Sequence, residues 1–140
     1  MAIKLSEIAE ALEMMNDDIR YVYDSANEDI VMLWDGMVNR EYNPELYEEI
    51  SEGWNDNYID LPDRYDVNEY GMMEDFIENL PEGRKKDRLE NAIRGRGAFR
   101  RFKDTVYDLD LENRWYRYQE QRFTEIARKW CEDHHIPYEQ

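Results

Sequence analysis

One hundred and forty residues are enough to bury a core without disulfides or metals, and 11 Tyr, 4 Trp and 4 Phe argue against disorder even with 37% charged residues. A net charge of −16 sets the chain as a whole against nucleic acid and anionic membrane surfaces. Acids interrupt the N-terminal apolar pattern, no apolar run nears the ~20 residues of a bilayer span, and a lone Cys131 has no internal disulfide partner, so a cytoplasmic protein without membrane contact is expected.

The first helix is predicted over residues 6–15, with Ser6 as its cap and Leu5, Ile8, Ala11, Leu12 and Met15 on one face. A hairpin follows. Ile19, Tyr21 and Tyr23 alternate with polar neighbours, residues 25–28 read as the turn, and Ile30, Met32 and Trp34 alternate again. Asn43 and Pro44 are suited to the cap and first position of a short helix over 43–52. Residues 58–61 read as a third strand, closed by Pro62.

From there the period is helical. A helix capped by Asp66 is predicted to reach Leu80, burying Tyr70, Met73, Ile77 and Leu80 with Phe76 beside them. Pro81 and Gly83 end it. A helix over 85–94 would bury Leu89, Ala92 and Ile93. Gly95-Arg96-Gly97 breaks the chain before a helix with Phe99, Phe102 and Val106 as its core stripe. A last helix over 112–134 would turn Tyr116, Phe123, Ile126, Ala127 and Trp130 inward. Trp34, Trp54, Trp115 and Trp130 are read as core or core-edge residues. The fold class is α+β: a small antiparallel sheet of about three strands packed by helices, then an all-helical C-terminal half. No repeat or linker marks a second domain, so residues 1–140 are read as a single domain with an acidic part (1–66) and a helical part (67–140).

Charge is distributed unevenly. Residues 1–83 hold four Lys and Arg against 23 Asp and Glu, whereas 84–103 hold nine against two, a local balance of +7. In that basic segment the glycines permit a sharp turn into a helix whose free amides would point at an anion. On the helix, Arg96, Arg100, Lys103 and Tyr107 share the face opposite the apolar stripe. With the Gly97 amide they form a candidate anion-binding site, for a nucleotide or a nucleic-acid phosphate. The competing account is structural: the glycines turn the chain and the arginines pair with the acidic first half.

The carboxylates at Glu48, Glu49, Glu52, Asp56, Asp60, Asp63 and Asp66 lack calcium-loop spacing and read as a solvated face. Cys131, His134 and His135 are neighbours on a continuing helix, but they are the only Cys and the only His. The reading is therefore a helix terminus, with no metal and no cofactor. No Ser/His/Asp or Cys/His set stands out.

The stretch AIRGRGAFRRFKD, from Ala92 to Asp104, with Trp115-Tyr116 after it, resembles the bacterial uncharacterised protein family number 158. There a GRGAFRRFKD run precedes a Trp-Tyr pair and an acidic-basic helix ending in E-x-x-G-I. Residues 73–77 (MEDFI) are similar to the family's M-x-D-F-I helix, and 5–14 (LSEIAEALEM) to its N-terminal pattern. The resemblance covers nearly the whole chain and is looser over 36–66. At the end, His134-His135-Ile136 stands where many relatives carry a glycine before the Ile. The resemblance implies one domain and directs attention to residues 95–103; it carries no mechanism.

Three function classes follow. A non-catalytic interaction or regulatory module, meeting a protein partner through its acidic surface and aromatic hairpin, has the charge of 1–83 and the lack of a catalytic set behind it. Anion binding at the glycine turn is the alternative. An enzyme has only abundant carboxylates and arginines in its favour, and would need a pocket with Arg or Tyr beside a desolvated carboxylate.

Overall fold

The computed structural model describes residues 2–52 and 57–140. Trp54 and Asp56 lie outside them. The chain forms two compact units, Met1–Val67 with Phe123–Gln140, and Asn68–Arg122. The fold is α+β.

In the first unit, the predicted hairpin is β2 (Arg20–Asp24) and β3 (Asp29–Trp34), in a register that pairs Tyr21 with Met32 and Tyr23 with Ile30. Its turn is held by the buried Asp24. The Asp24 carboxylate accepts from the Ala26 amide at 3.0 Å and from Asn27 Nδ2 at 2.7 Å. The predicted third strand, β6 (Tyr58–Asp60), pairs antiparallel with β2.

Two further strands widen the sheet to the order β5-β4-β3-β2-β6: β4 (Met37–Val38) and β5 (Glu41–Tyr42). Each joins through a two-residue loop. Asp35-Gly36 and Asn39-Arg40 all have positive φ, the twist that two-residue hairpin loops require. Strands this short carry no alternation to read, although Asp35-Gly36 was a legible turn signal.

The helix α2 (Pro44–Glu52) starts as expected, with Asn43 Oδ1 accepting from the Leu46 amide at 3.2 Å. It places Ile50 against Val22, Val31, Leu33 and Val38. On the opposite face of the sheet, Tyr23 meets Trp130 edge-on at 6.0 Å. Trp130 Nε1 donates to the Asp60 carbonyl at 3.0 Å. With both faces covered, β2 buries Val22, Tyr23 and Asp24 in succession rather than alternately. Tyr23 is thereby buried while the hairpin's other aromatics, Tyr21 and Trp34, are half-buried, and burial pushes the Tyr23 hydroxyl pKa up.

Ser6 is not a cap. The first helix, α1 (Leu5–Met14), starts after β1 (Ile3–Lys4), which pairs parallel with β7 (Tyr138–Glu139). That strand adds a short β element to the otherwise helical C-terminal half. The helix expected from Asp66 to Leu80 is broken. Asp63 Oδ1 caps the short α3 (Arg64–Val67), accepting from the Asp66 amide at 2.9 Å. Asn68 then turns left-handed (φ 51°) and caps α4 (Glu69–Glu78) through the Gly71 amide.

The second unit is built from α4, α5 (Arg84–Ala92), α6 (Ala98–Asp108) and the start of α7 (Glu112–Asp133). Its centre is aromatic. The Phe102 ring lies 4.7 Å from Trp115 and 6.2 Å from Phe76, both edge-on. Met72, Met73, Ile77, Leu89 and Val106 are buried in the same unit. Three expected core residues face water instead: Tyr70 is 37% exposed, Phe99 42% and Tyr116 59%. On α6 the buried positions are Ala98, Phe102 and Val106, spaced by four, which leaves Phe99 at the margin. Trp115 rather than Tyr116 turns inward on α7.

Candidate functional site

The glycine turn sits between α5 and α6. Gly95 (φ 76°) and Gly97 (φ 74°) are both left-handed, a conformation that costs a residue with a side chain about 1–2 kcal/mol. The first intrahelical bond of α6 runs from the Arg101 amide to the Gly97 carbonyl at 3.0 Å, and no side chain caps the amides before it. The first turn of α6 contains no acid, though an acid is what the positive helix end favours. Arg96, Gly97, Arg100, Lys103 and Tyr107 are all exposed. Among the described residues, no carboxylate pairs with any of these three cations.

Arg101 does different work from its neighbours. Its Nε donates to the Ala92 carbonyl at 3.0 Å. Its two terminal nitrogens donate to the carbonyls of Arg94 and Arg96. The guanidinium thus closes the end of α5, where unpaired carbonyls carry partial negative charge. Sequence reading left Arg101 out of the site, and nothing in a run of arginines says which one will fold back.

The first unit holds a cleft of about 940 Å3 that no motif announced. Its floor includes Leu12, Leu61, Ile126 and Trp130, and its rim Asp63, Tyr65, Asp66, Lys129 and Asp133. Two arginines in its wall are already neutralised. Arg20 binds Asp60 Oδ1 through Nη2 at 2.7 Å and Nε at 2.8 Å, and Arg64 binds Asp17 at 2.9 Å. These carboxylates are well hydrated, with side chains 61% and 85% exposed, so they are not the desolvated acid that an enzymatic reading needs. Tyr21 lines the cleft and its hydroxyl pKa is raised by burial.

Charge divides by unit rather than by halves of the sequence. The first unit holds six Lys and Arg against 22 Asp and Glu, the second 12 against 12. The acids of α4 belong with the basic segment, so the entire −16 resides in the first unit.

Cys131 is buried, and burial pushes its thiol pKa up to about 11, whereas His134 and His135 are exposed. These three do not converge. Among the described residues no group of three His, Cys, Asp or Glu is placed to hold a metal ion. His135 turns left-handed (φ 56°) at the end of α7, the position where a glycine is at ease. Among the described residues no helix is long and apolar enough to cross a membrane.

The family model described as "Uncharacterised protein family (UPF0158)" matches residues 1–139. The chain is similar to the UPF0158 protein PA5073 of Pseudomonas aeruginosa, with 37% identity over 67 residues. That match covers 47% of this chain and 44% of the relative, less than half of either. No solved structure matches. With a family model spanning all but the last residue, the chain belongs to the uncharacterised protein family UPF0158.

Proposed function

We propose that the protein is a non-catalytic interaction module of the cytoplasm, whose first unit binds a basic protein partner. The observation that supports this most is the concentration of the whole −16 in that unit, beside a second unit of balanced charge. Such a surface draws cationic partners by long-range attraction and repels polyanions. Capture on the immobilised protein at about 50 mM salt should recover a basic protein, and the yield should fall at about 0.5 M salt as screening shortens the reach of the field. Recovery of nothing above background, or only of partners insensitive to salt, would refute the reading.

A second reading is supported by the α6 terminus. Arg96, Arg100 and Lys103 stand exposed without acid partners, at a helix end that offers free amides and no first-turn acid. Cations at a positive helix end repel it unless an anion is bound there. A melting-temperature screen with phosphate, sulfate, nucleotides, short DNA and short RNA at low salt should show stabilisation by one of these anions. The shift should vanish in Arg96→Ala/Arg100→Ala, since only ligands that bind the native state raise the melting point. No shift with any probe, or one that survives Arg100→Ala and Lys103→Ala, removes this reading.

A further inference from the structure

We infer that the cleft of the first unit is the place where the basic partner docks, and that it takes an Arg- or Lys-bearing extended segment. This rests on the reading of the first unit as the partner-binding part. The cleft is large enough, at about 940 Å3, for a few extended residues.

Charge and shape both choose the occupant. Arg20 and Arg64 are spent on Asp60 and Asp17, which leaves Asp63, Asp66 and Asp133 in a lining whose one other Lys or Arg is Lys129. Asp63 and Asp66 each use one carboxylate oxygen on the other's backbone amide, at 2.9 and 3.2 Å. Their second oxygens have no partner among the described residues, and Asp133 has none at all. An incoming guanidinium or ammonium would find charge-assisted acceptors there.

The floor suits the rest of such a side chain. Arg and Lys carry long apolar stems, which the cleft's Leu61, Ile126 and Trp130 would cover. Tyr65 stands on the rim with 90% of its surface exposed, so its ring is open to an incoming side chain. With Asp63 and Asp66 two residues before and one after it in sequence, it offers a cation a π-face. A polyanion would be repelled by these three carboxylates, and a purely apolar segment would desolvate them without supplying a cationic partner.

The test uses the full chain and a fluorescent Arg-rich decapeptide, with a Gln-for-Arg peptide as control, at about 50 mM salt. The wild type should bind the basic peptide and not the control. Asp63→Asn/Asp133→Asn should weaken binding about tenfold, and Tyr65→Ala several-fold, because the carboxylates would pair directly with the incoming cation and the ring would pack on it. Asn at 63 keeps the cap on the Asp66 amide, and Tyr65 is too exposed to support the fold. Glu45→Gln/Glu48→Gln, the same charge change on the exposed face of α2, should cost less than about threefold, as a long-range screened effect. If the two charge pairs lose affinity equally and Tyr65→Ala binds as wild type, the cleft is not the site, although the acidic unit still binds cations. If the wild type does not distinguish the two peptides, the reading beneath the inference falls as well.

Discussion

Phe102→Ala should cost about 3–5 kcal/mol of stability, the largest loss from any single truncation in the second unit. Phe102 is 0% exposed and its ring edges onto both Trp115 and Phe76, so removing it empties the space between them. Rings that lose an edge-on neighbour lose more than buried area. The informative comparison is Phe99→Ala. Both phenylalanines lie on α6 three residues apart, and the apolar stripe treats them alike. Phe99 is 42% exposed and touches one ring, Tyr70, at 6.4 Å. Its truncation should cost less than about 1 kcal/mol. Urea titration followed by tryptophan fluorescence would measure both midpoints. Equal losses would mean that the α6 stripe packs as its periodicity suggests and not as the structure places it.

Arg101→Ala should cost about 2 kcal/mol, while Arg100→Ala, one residue away, should change stability by less than about 0.5 kcal/mol. The Arg101 guanidinium satisfies the carbonyls of Ala92, Arg94 and Arg96. Hydrogen bonds to a charged group contribute about 1.5–3 kcal/mol each when shielded, and partial exposure here holds the total near the lower end. Arg101→Lys should recover little, because an ammonium lacks the planar fork that reaches three carbonyls at once. Gly97→Ala should act on the same device from the other side. An added Cβ would lie 3.1 Å from Arg101 Nη1, and the φ of 74° adds strain of its own. Thermal melting of the four variants checks the order. A harmless Arg101→Ala would mean that the turn is held by its glycines alone. The contrast also separates roles within the run: Arg101 serves the fold, and Arg96, Arg100 and Lys103 are left free for a ligand.

Much of the architecture was legible because it follows local rules. Asn43-Pro44 opened α2 through a side-chain cap, the 25–28 turn set the register of β2 and β3, and 58–60 formed the third strand. The departures have specific causes. Ser6 did not cap α1 because pairing of Ile3 and Lys4 with Tyr138 and Glu139 fixes the chain before it, across most of the sequence. The break at Asn68 was hidden because Asp66 is an equally good local cap candidate, and Asp63 takes that role first. Tyr116 and Trp115 are adjacent aromatics on one helix, and only the positions of Phe76 and Phe102 decide which of them turns inward.

Composition, charge and short-range periodicity by themselves determined an aromatic-rich α+β chain with an acidic bias and a basic glycine turn, because helix caps, hairpin turns and amphipathic stripes act over a few residues. The GRGAFRRFKD run likewise carried family membership without a structure. Tertiary structure decided what depends on distant neighbours. It drew residues 123–140 into the first unit and the acids of α4 into the second, which moved the whole −16 onto one unit. It closed the cleft from segments more than 100 residues apart in sequence, Leu12 and Trp130 among them. It also assigned Arg101 to backbone carbonyls while its neighbours stayed in solvent. Each of these outcomes rests on which surfaces meet once the helices pack, and burial and charge pairing are sums over those neighbours rather than properties of the residues alone.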